Sequence, residues 1–189
     1  MDTWKKFEQN SITHSAAHHL MAIDSLMKQY GYARVSDVAR YLEITRGSVS
    51  LTIKSLKSQH LVIQDEHRFL HLSAEGQQIA DTIRARHALI ARFLTDVLGV
   101  ADEQADIDAC KVEHLLSGQT SQRLINVLRF TASGVREASG FIRALGDYET
   151  VCDENVEACP YCESECLSRL ASRPITDLMP NPESKLDSK

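Results

Sequence analysis

Residues 110–114 read Cys110-Lys111-Val112-Glu113-His114. On a helix, Cys110, Glu113 and His114 stand at i, i+3 and i+4, so their side chains share one face about one turn apart. Asp106, one turn earlier, extends the stripe. A thiolate, carboxylates and an imidazole on one patch form a donor set for a first-row transition metal. The same spacing also fits a half-buried helix whose polar groups pair locally, so the stripe alone leaves both readings open.

A second group of donors lies near the C-terminus. Cys152, Cys159, Cys162 and Cys166 give C-x6-C-x2-C-x3-C. Three chemistries compete for it. A [4Fe–4S] cluster is the leading one, a zinc knot held by all four thiolates is the second, and a Cys159/Cys162 dithiol is the third. The string Cys159-Pro160-Tyr161-Cys162 matches the glutaredoxin motif, but no βαβ setting surrounds it. A thiol oxidoreductase is therefore the weakest reading, behind an iron–sulfur or redox sensor.

The elements that must position these groups follow from periodicity. The apolar set Ala17, Leu20, Met21, Ile23, Leu26 and Met27 predicts a helix from Thr13 to Tyr30, stopped by Gly31. Ser36 is expected to cap a short second helix carrying Val38, Ala39 and Leu42. A third helix is expected from about Arg46 to Ser58, with Val49, Ile53 and Leu56 inward and Ser48, Ser50, Thr52, Lys54 and Lys57 outward. Leu61–Gln64 and Phe69–Leu72, around a polar tip at Asp65–Arg68, read as a hairpin. Three helices and a hairpin in this order predict a winged helix-turn-helix.

Ser73 caps a long connector helix with Ile79, Ile83, Ile90, Phe93 and Val97 along its inner face, ending near Gly99. His87, between apolar positions on it, reads by itself as a core residue. Three amphipathic segments follow, over 102–116, 121–130 and 133–148. Helices this short bury more surface across a two-fold axis, so a homodimer is expected. The fold class is thus mainly α, in three parts: a reader domain over 1–72, a helical metal-binding and dimerisation domain over 73–150, and a cysteine-rich tail over 151–189 whose proline-rich ending is expected to be disordered.

Charge distribution supports a nucleic-acid partner. The net charge is −5, yet residues 147–189 hold ten acids against four bases, which leaves the first 146 residues near +1. From Thr45 to His60 there are three bases and no acid. Such focused positive charge suits phosphate contact. The start of the third helix offers Thr45, Arg46, Ser48, Ser50 and Leu51 to bases, with Lys54, Lys57 and Arg68 for phosphates. No run of residues is long and apolar enough to span a membrane, and the N-terminus does not read as a signal peptide, so a cytoplasmic location is expected.

The chain resembles the diphtheria toxin repressor and manganese transport regulator family of metal-dependent transcription factors. Over roughly residues 13–130 the resemblance rests on Gly31-Tyr32-Ala33-Arg34-Val35-Ser36-Asp37-Val38-Ala39, Ser48-Val49-Ser50, Leu72-Ser73-Ala74-Glu75-Gly76, Arg84-Ala85-Arg86-His87 and the block Ala109–Ser117. It implies a regulator rather than an enzyme, acting as a homodimer on a palindromic DNA operator. It also implies a metal site of His18, Cys110, Glu113 and His114, where His18 replaces the Met or Asp of relatives. Cys110 follows the iron-type branch, and thiolate with imidazole favours Fe(II), with Zn(II) or Mn(II) as the alternatives. The resemblance makes His87 an ancillary ligand, reversing its core reading, and places Asp106 beside it. Ala91 and Met21 stand where relatives carry a carboxylate, which argues against a two-metal manganese site.

Overall fold

The computed structural model describes residues 12–148. Its elements are α1 (His14–Tyr30), α2 (Val35–Tyr41), α3 (Arg46–Ser58), β1 (Val62–Gln64), β2 (Leu70–Leu72), α4 (Ala74–Asp96), α5 (Asp102–Val112), α6 (Gly118–Thr131) and α7 (Arg136–Gly146). All lie in one compact unit that ends at Gly146. The four tail cysteines fall outside the described residues.

Helix ends follow local chemistry. Thr13, Thr45, Ser73 and Ser117 each accept a hydrogen bond from the backbone N–H three residues on, satisfying an amide that the helix leaves unpaired. Gly31 ends α1 at φ 77°, and its N–H reaches the Met27 carbonyl. The expected Ser36 cap is corrected: the N-cap position of α2 is Arg34, two residues earlier, and it has no side-chain cap. The hydrogen bonds of Asp37 and Val38 to the Arg34 carbonyl hold that start instead.

The reader core gathers Leu20, Ile23 and Leu26 of α1, Val38 of α2, and Val49, Ile53 and Leu56 of α3 with Leu61, Val62 and Leu70 of the wing. The wing is antiparallel, with Val62 opposite Leu72 and Gln64 opposite Leu70. Asp65 organises its tip by accepting from the Phe69 N–H at 2.8 Å and pairing with His71 at 3.2 Å.

Helix α4 is the spine. It packs against α1 on the reader side and against α5 and α6 on the other. Two contacts fix it to the reader. The first turn of α4 presents Gly76 to the backbone of Leu61, with no space for a Cβ. Further along, buried Asp24 of α1 accepts from Lys28, from Gln77 of α4 and from Arg84 of α4. Burial alone would raise the Asp24 pKa, but hydrogen bonds from Lys28, Gln77 and Arg84 outweigh it and hold the carboxyl below its usual range.

That sign fixes a pH prediction. A depressed carboxylate lends stability fully above its unfolded value, about pH 4, and loses it as pH falls through the lower folded value. Asp24→Asn should cost about 1–2 kcal/mol at neutral pH, since Lys28 and Arg84 both reach solvent. It should also flatten the acid limb of stability. Urea midpoints at pH 7 and near pH 3 check this; equal losses on acidification in both proteins would contradict it.

Candidate metal centre

Helices α1 and α5 both lie against α4, and side chains of the two meet beside it. His18 of α1 and Cys110 of α5 are 3.2 Å apart, Nε2 to Sγ. His14, one turn before His18, lies with its ring centroid 4.3 Å from that of His18. Among the described residues, His14, His18 and Cys110 form the trio whose donor atoms all fall within 4.8 Å of one another. The ring of His114 is 5.0 Å from that of His14.

The acids of the stripe take a different partner. His87 of α4 lies between two carboxylates, its Nδ1 2.7 Å from Glu113 and its Nε2 2.8 Å from Asp106. Glu113 is fully buried, whereas Asp106 is exposed. One cleft of ≈ 310 Å³ is lined by members of both groups, His18 and Cys110 as well as His87, Asp106 and Glu113. Met21 lines it too, so a thioether stands where a carboxylate would add an oxygen donor.

Electrostatics favour the neutral forms of His18, His114 and Cys110. Burial, then neighbouring His14 and His114, push the His18 pKa down. Burial and then His14 do the same to His114. Burial, reinforced by Glu113 and Asp106, pushes the Cys110 thiol up. Burial also raises Glu113, against the opposing hydrogen bond from His87. For His87, burial pulls down, but the bonds to Asp106 and Glu113 win and raise it. Neutral imidazoles are the ligating form, and a thiol beside them becomes a thiolate most readily when a cation binds.

The residues fit a divalent metal on two observations. Two imidazoles and a thiol converge, which is a nitrogen–sulfur donor set. Two buried atoms have no hydrogen-bond partner: Glu113 Oε1, whose residue lines the cleft with His18 and Cys110, and His114 Nδ1, whose ring lies beside His14. Buried polar atoms are rarely left so, and a ligand is one way to satisfy them.

Sequence reasoning named His18, Cys110, Glu113, His114, His87 and Asp106, and all six lie around this region. It set His18, Cys110, Glu113 and His114 apart from an ancillary pair of His87 and Asp106, whereas the structure hydrogen-bonds Glu113 to His87, and it missed His14. The signal was present: His14 and His18 stand at i, i+4 on a helix, hence on one face. The stripe argument also needs one amendment. Helix α5 stops at Val112, so Glu113 is its C-cap and His114 lies in the turn beyond.

The candidate DNA surface is separate. Arg46, Ser48, Ser50, Leu51, Lys54 and Lys57 are exposed along α3, with Thr45 as its N-cap and Arg68 at the wing tip. Leu51 is 74% exposed, the largest value among the exposed large apolar residues of the reader.

Comparison with known proteins places the chain. A family model described as the iron dependent repressor, metal binding and dimerisation domain matches residues 73–137. The HTH-type transcriptional regulator MntR of Listeria welshimeri is 34% identical over 118 residues, covering 62% of this chain and 82% of the relative. The chain belongs to the diphtheria toxin repressor and manganese transport regulator family of metal-dependent transcriptional regulators. MntR of Bacillus subtilis (strain 168) is 30% identical over the same length, again with 62% and 82% coverage. The structure of T. acidophilum IdeR matches with a TM-score of 0.53 at 27% identity, over 62% of this chain and 55% of that one. The manganese regulator SloR shares the fold, with a TM-score of 0.57 at 24% identity, over 62% and 55%. The chain thus spans about half the length of these solved relatives, but most of MntR. Members of the family are regulators and not enzymes, and they respond to divalent metals. Among the described residues no helix is long and apolar enough to cross a membrane.

Proposed function

We propose that the protein is a metal-activated repressor that binds a palindromic DNA site as a homodimer. One observation carries the reading: His18 and Cys110 stand 3.2 Å apart although they are far apart in sequence and sit on different helices. His18 belongs to α1, which also packs against the recognition helix α3. Cys110 belongs to α5, in the segment matched by the metal-binding and dimerisation model. The functional division therefore falls near residue 72, with the reader before it, the metal and dimer segment over 73–150, and the tail beyond.

A bound divalent cation supplies positive charge and directional bonds to donors from both helices. The role of His18 is to commit α1, and with it α3, to one orientation relative to α5. The role of Cys110 is to anchor that orientation to the dimer segment. Half-sites one DNA turn apart, roughly 34 Å, require the two recognition helices of a dimer at a fixed separation. Thiolate and imidazole favour Fe(II) or Zn(II) over Mn(II) at these residues.

Helices α6 and α7 support the dimer. Phe130, Val135, Phe141 and Leu145 are all at least 38% exposed, and Ala138 is the one buried residue among the described residues of the two helices. An apolar face of this kind is seldom left to water. Phe141→Asp should convert the dimer to monomer in sedimentation equilibrium and weaken binding to a palindrome. A variant that stays dimeric would move the interface elsewhere.

On α3, Thr45 and Ser48 hydroxyls pair at 2.9 Å, and the Ser50 hydroxyl donates to the Arg46 carbonyl. These residues are partly committed locally, so Arg46 and Leu51 are the freest to meet base edges, Leu51 through a thymine methyl. Lys57 donates to Gln64 of the wing at 3.1 Å, leaving Lys54 as a plain phosphate contact. Lys54→Ala should weaken binding to all sequences alike and reduce the slope of log K against log salt by about 1. An unchanged slope would remove Lys54 from the interface. The reading as a whole is tested by selecting duplexes from a random pool with and without Fe(II) or Zn(II). A palindromic consensus recovered only with metal is expected; recovery of the same consensus with chelator would overturn metal activation.

A further inference from the structure

A second cleft, of ≈ 280 Å³, runs along α4 and shares no lining residue with the cleft of His18 and Cys110. Ile12, Ile79 and Ile83 give it an apolar lining, and Thr82, Arg86 and His114 add polar groups. We propose that residues 1–11 of the same chain dock in this cleft as an arm, with Trp4 and Phe7 as the side chains that fill it. The docking goes beyond metal-dependent DNA binding and requires neither metal nor DNA.

Connectivity points to this occupant. Ile12 is itself a wall residue, so the eleven residues ahead of it start at the cleft. Phe7 and Trp4 stand five and eight residues before Ile12. At about 3.3–3.6 Å per extended residue both have ample chain to fold back. A group on so short a tether meets its site at an effective concentration of order millimolar, so weak contacts suffice. A second copy lacks that advantage, and the exposed apolar residues of α6 and α7 already offer it an interface.

Size and chemistry agree. Pockets for drug-sized molecules run from about 300 to 1,000 Å³, and this cleft falls at the foot of that range, which suits side chains better than a free ligand. Aromatic rings pack on isoleucine, and a guanidinium takes the face of an indole as well as a carboxylate. Arg84 and Arg92 of α4 are paired with acids, whereas Arg86 has no ion pair among the described residues. The arm brings both partners, the indole of Trp4 and the carboxylate of Glu8. His114, an expected metal ligand, forms part of the wall. Contacts that support a ligating histidine are worth ~10–100-fold in metal affinity, so the arm acts on the metal centre without supplying a ligand.

Trp4 is the single tryptophan of the chain, so intrinsic fluorescence reports the arm directly. In the full chain without metal, its emission should lie to the blue of N-acetyltryptophanamide, and acrylamide should quench it several-fold less. Thr82 is exposed, so Thr82→Lys puts a cation into the cleft beside Arg86, against Lys5 and Lys6 of the arm, without disturbing the core. That variant should return Trp4 to water with unchanged circular dichroism, and so should Phe7→Asp. Trp4 should stay buried in Phe141→Asp at a concentration where sedimentation shows monomer. With Cys152, Cys159, Cys162 and Cys166 changed to serine, Thr82→Lys should bind Zn(II) about tenfold more weakly, the lower end of the cost of losing a supporting contact. A solvent-like Trp4 in the parent, or a Trp4 that stays buried in Thr82→Lys, would overturn the docking. Burial lost in the monomer would assign the cleft to the arm of a second copy, and overturns it too. Parent-like Zn(II) affinity with Trp4 released would overturn the support of His114. None of these measurements involves DNA, so each leaves metal-activated repression to its own test.

Discussion

Changing Cys110 to alanine is expected to abolish the metal dependence of DNA binding while leaving the protein folded. Coupling between two sites of this kind is of order 1–3 kcal/mol, or about 5–150-fold in DNA affinity between metal-free and metal-loaded protein. Cys110 is the contribution of α5 to the contact that joins it to α1. Without the thiolate, His14 and His18 remain, but both belong to α1, and two ligands on one helix do not tie it to another. The variant should therefore bind DNA with metal about as weakly as the parent does without it. Folding should be little affected, because Cys110 is only half-buried and its neighbour Ala109 carries the packing of α5. Fluorescence anisotropy with a selected duplex, with and without metal, measures the ratio directly. A ratio in the variant equal to that of the parent would show that the effector site lies elsewhere.

The second large effect is on stability. Gly76→Ala should destabilise the protein by roughly 1–3 kcal/mol or more, the cost of forcing atoms into filled space. An added Cβ would run into the carbonyl of Leu61, which is backbone and cannot swing aside. That carbonyl already accepts from the Ser73 N–H at 3.0 Å, so moving it breaks the bond that sets the entry into α4. The loss should appear as a lower urea midpoint with an unchanged slope. It should also weaken metal-dependent DNA binding, since α4 carries the relation between wing and metal centre. A variant as stable as the parent would mean that β1 and α4 separate more easily than their packing implies.

Much of this architecture was legible because it is local. Thr13, Thr45 and Ser73 stand just ahead of periodic apolar runs, and Gly31 stands just behind one; capping chemistry acts within four residues and so is written in the string. The recognition helix matched its expected bounds for the same reason. Failures occurred where distant residues decide. Ser36 has capping chemistry, but α2 starts on the carbonyl of Arg34 because the preceding segment is bonded to β2 through the Ala33 carbonyl and the Leu70 N–H. The segment over 102–116 reads as one helix, yet it ends at Val112, where Glu113 turns to His87 of α4. Helix periodicity put Cys110, Glu113 and His114 on one stripe, although the helix ends at Val112. It could not say that Glu113 would be claimed by a histidine twenty-six residues away in sequence. His14 was visible as the i−4 neighbour of His18, but its relation to Cys110 exists only after α1 and α5 have both packed on α4.

The central claim is that metal and DNA act on one another through α1. Calorimetric metal titration of the full chain, with and without a saturating selected duplex, tests it most directly. Linkage requires the same factor in both directions. Metal affinity should therefore rise on DNA by the factor, about 5–150-fold, by which metal raises DNA affinity. Equal metal affinities with and without DNA would contradict the claim outright.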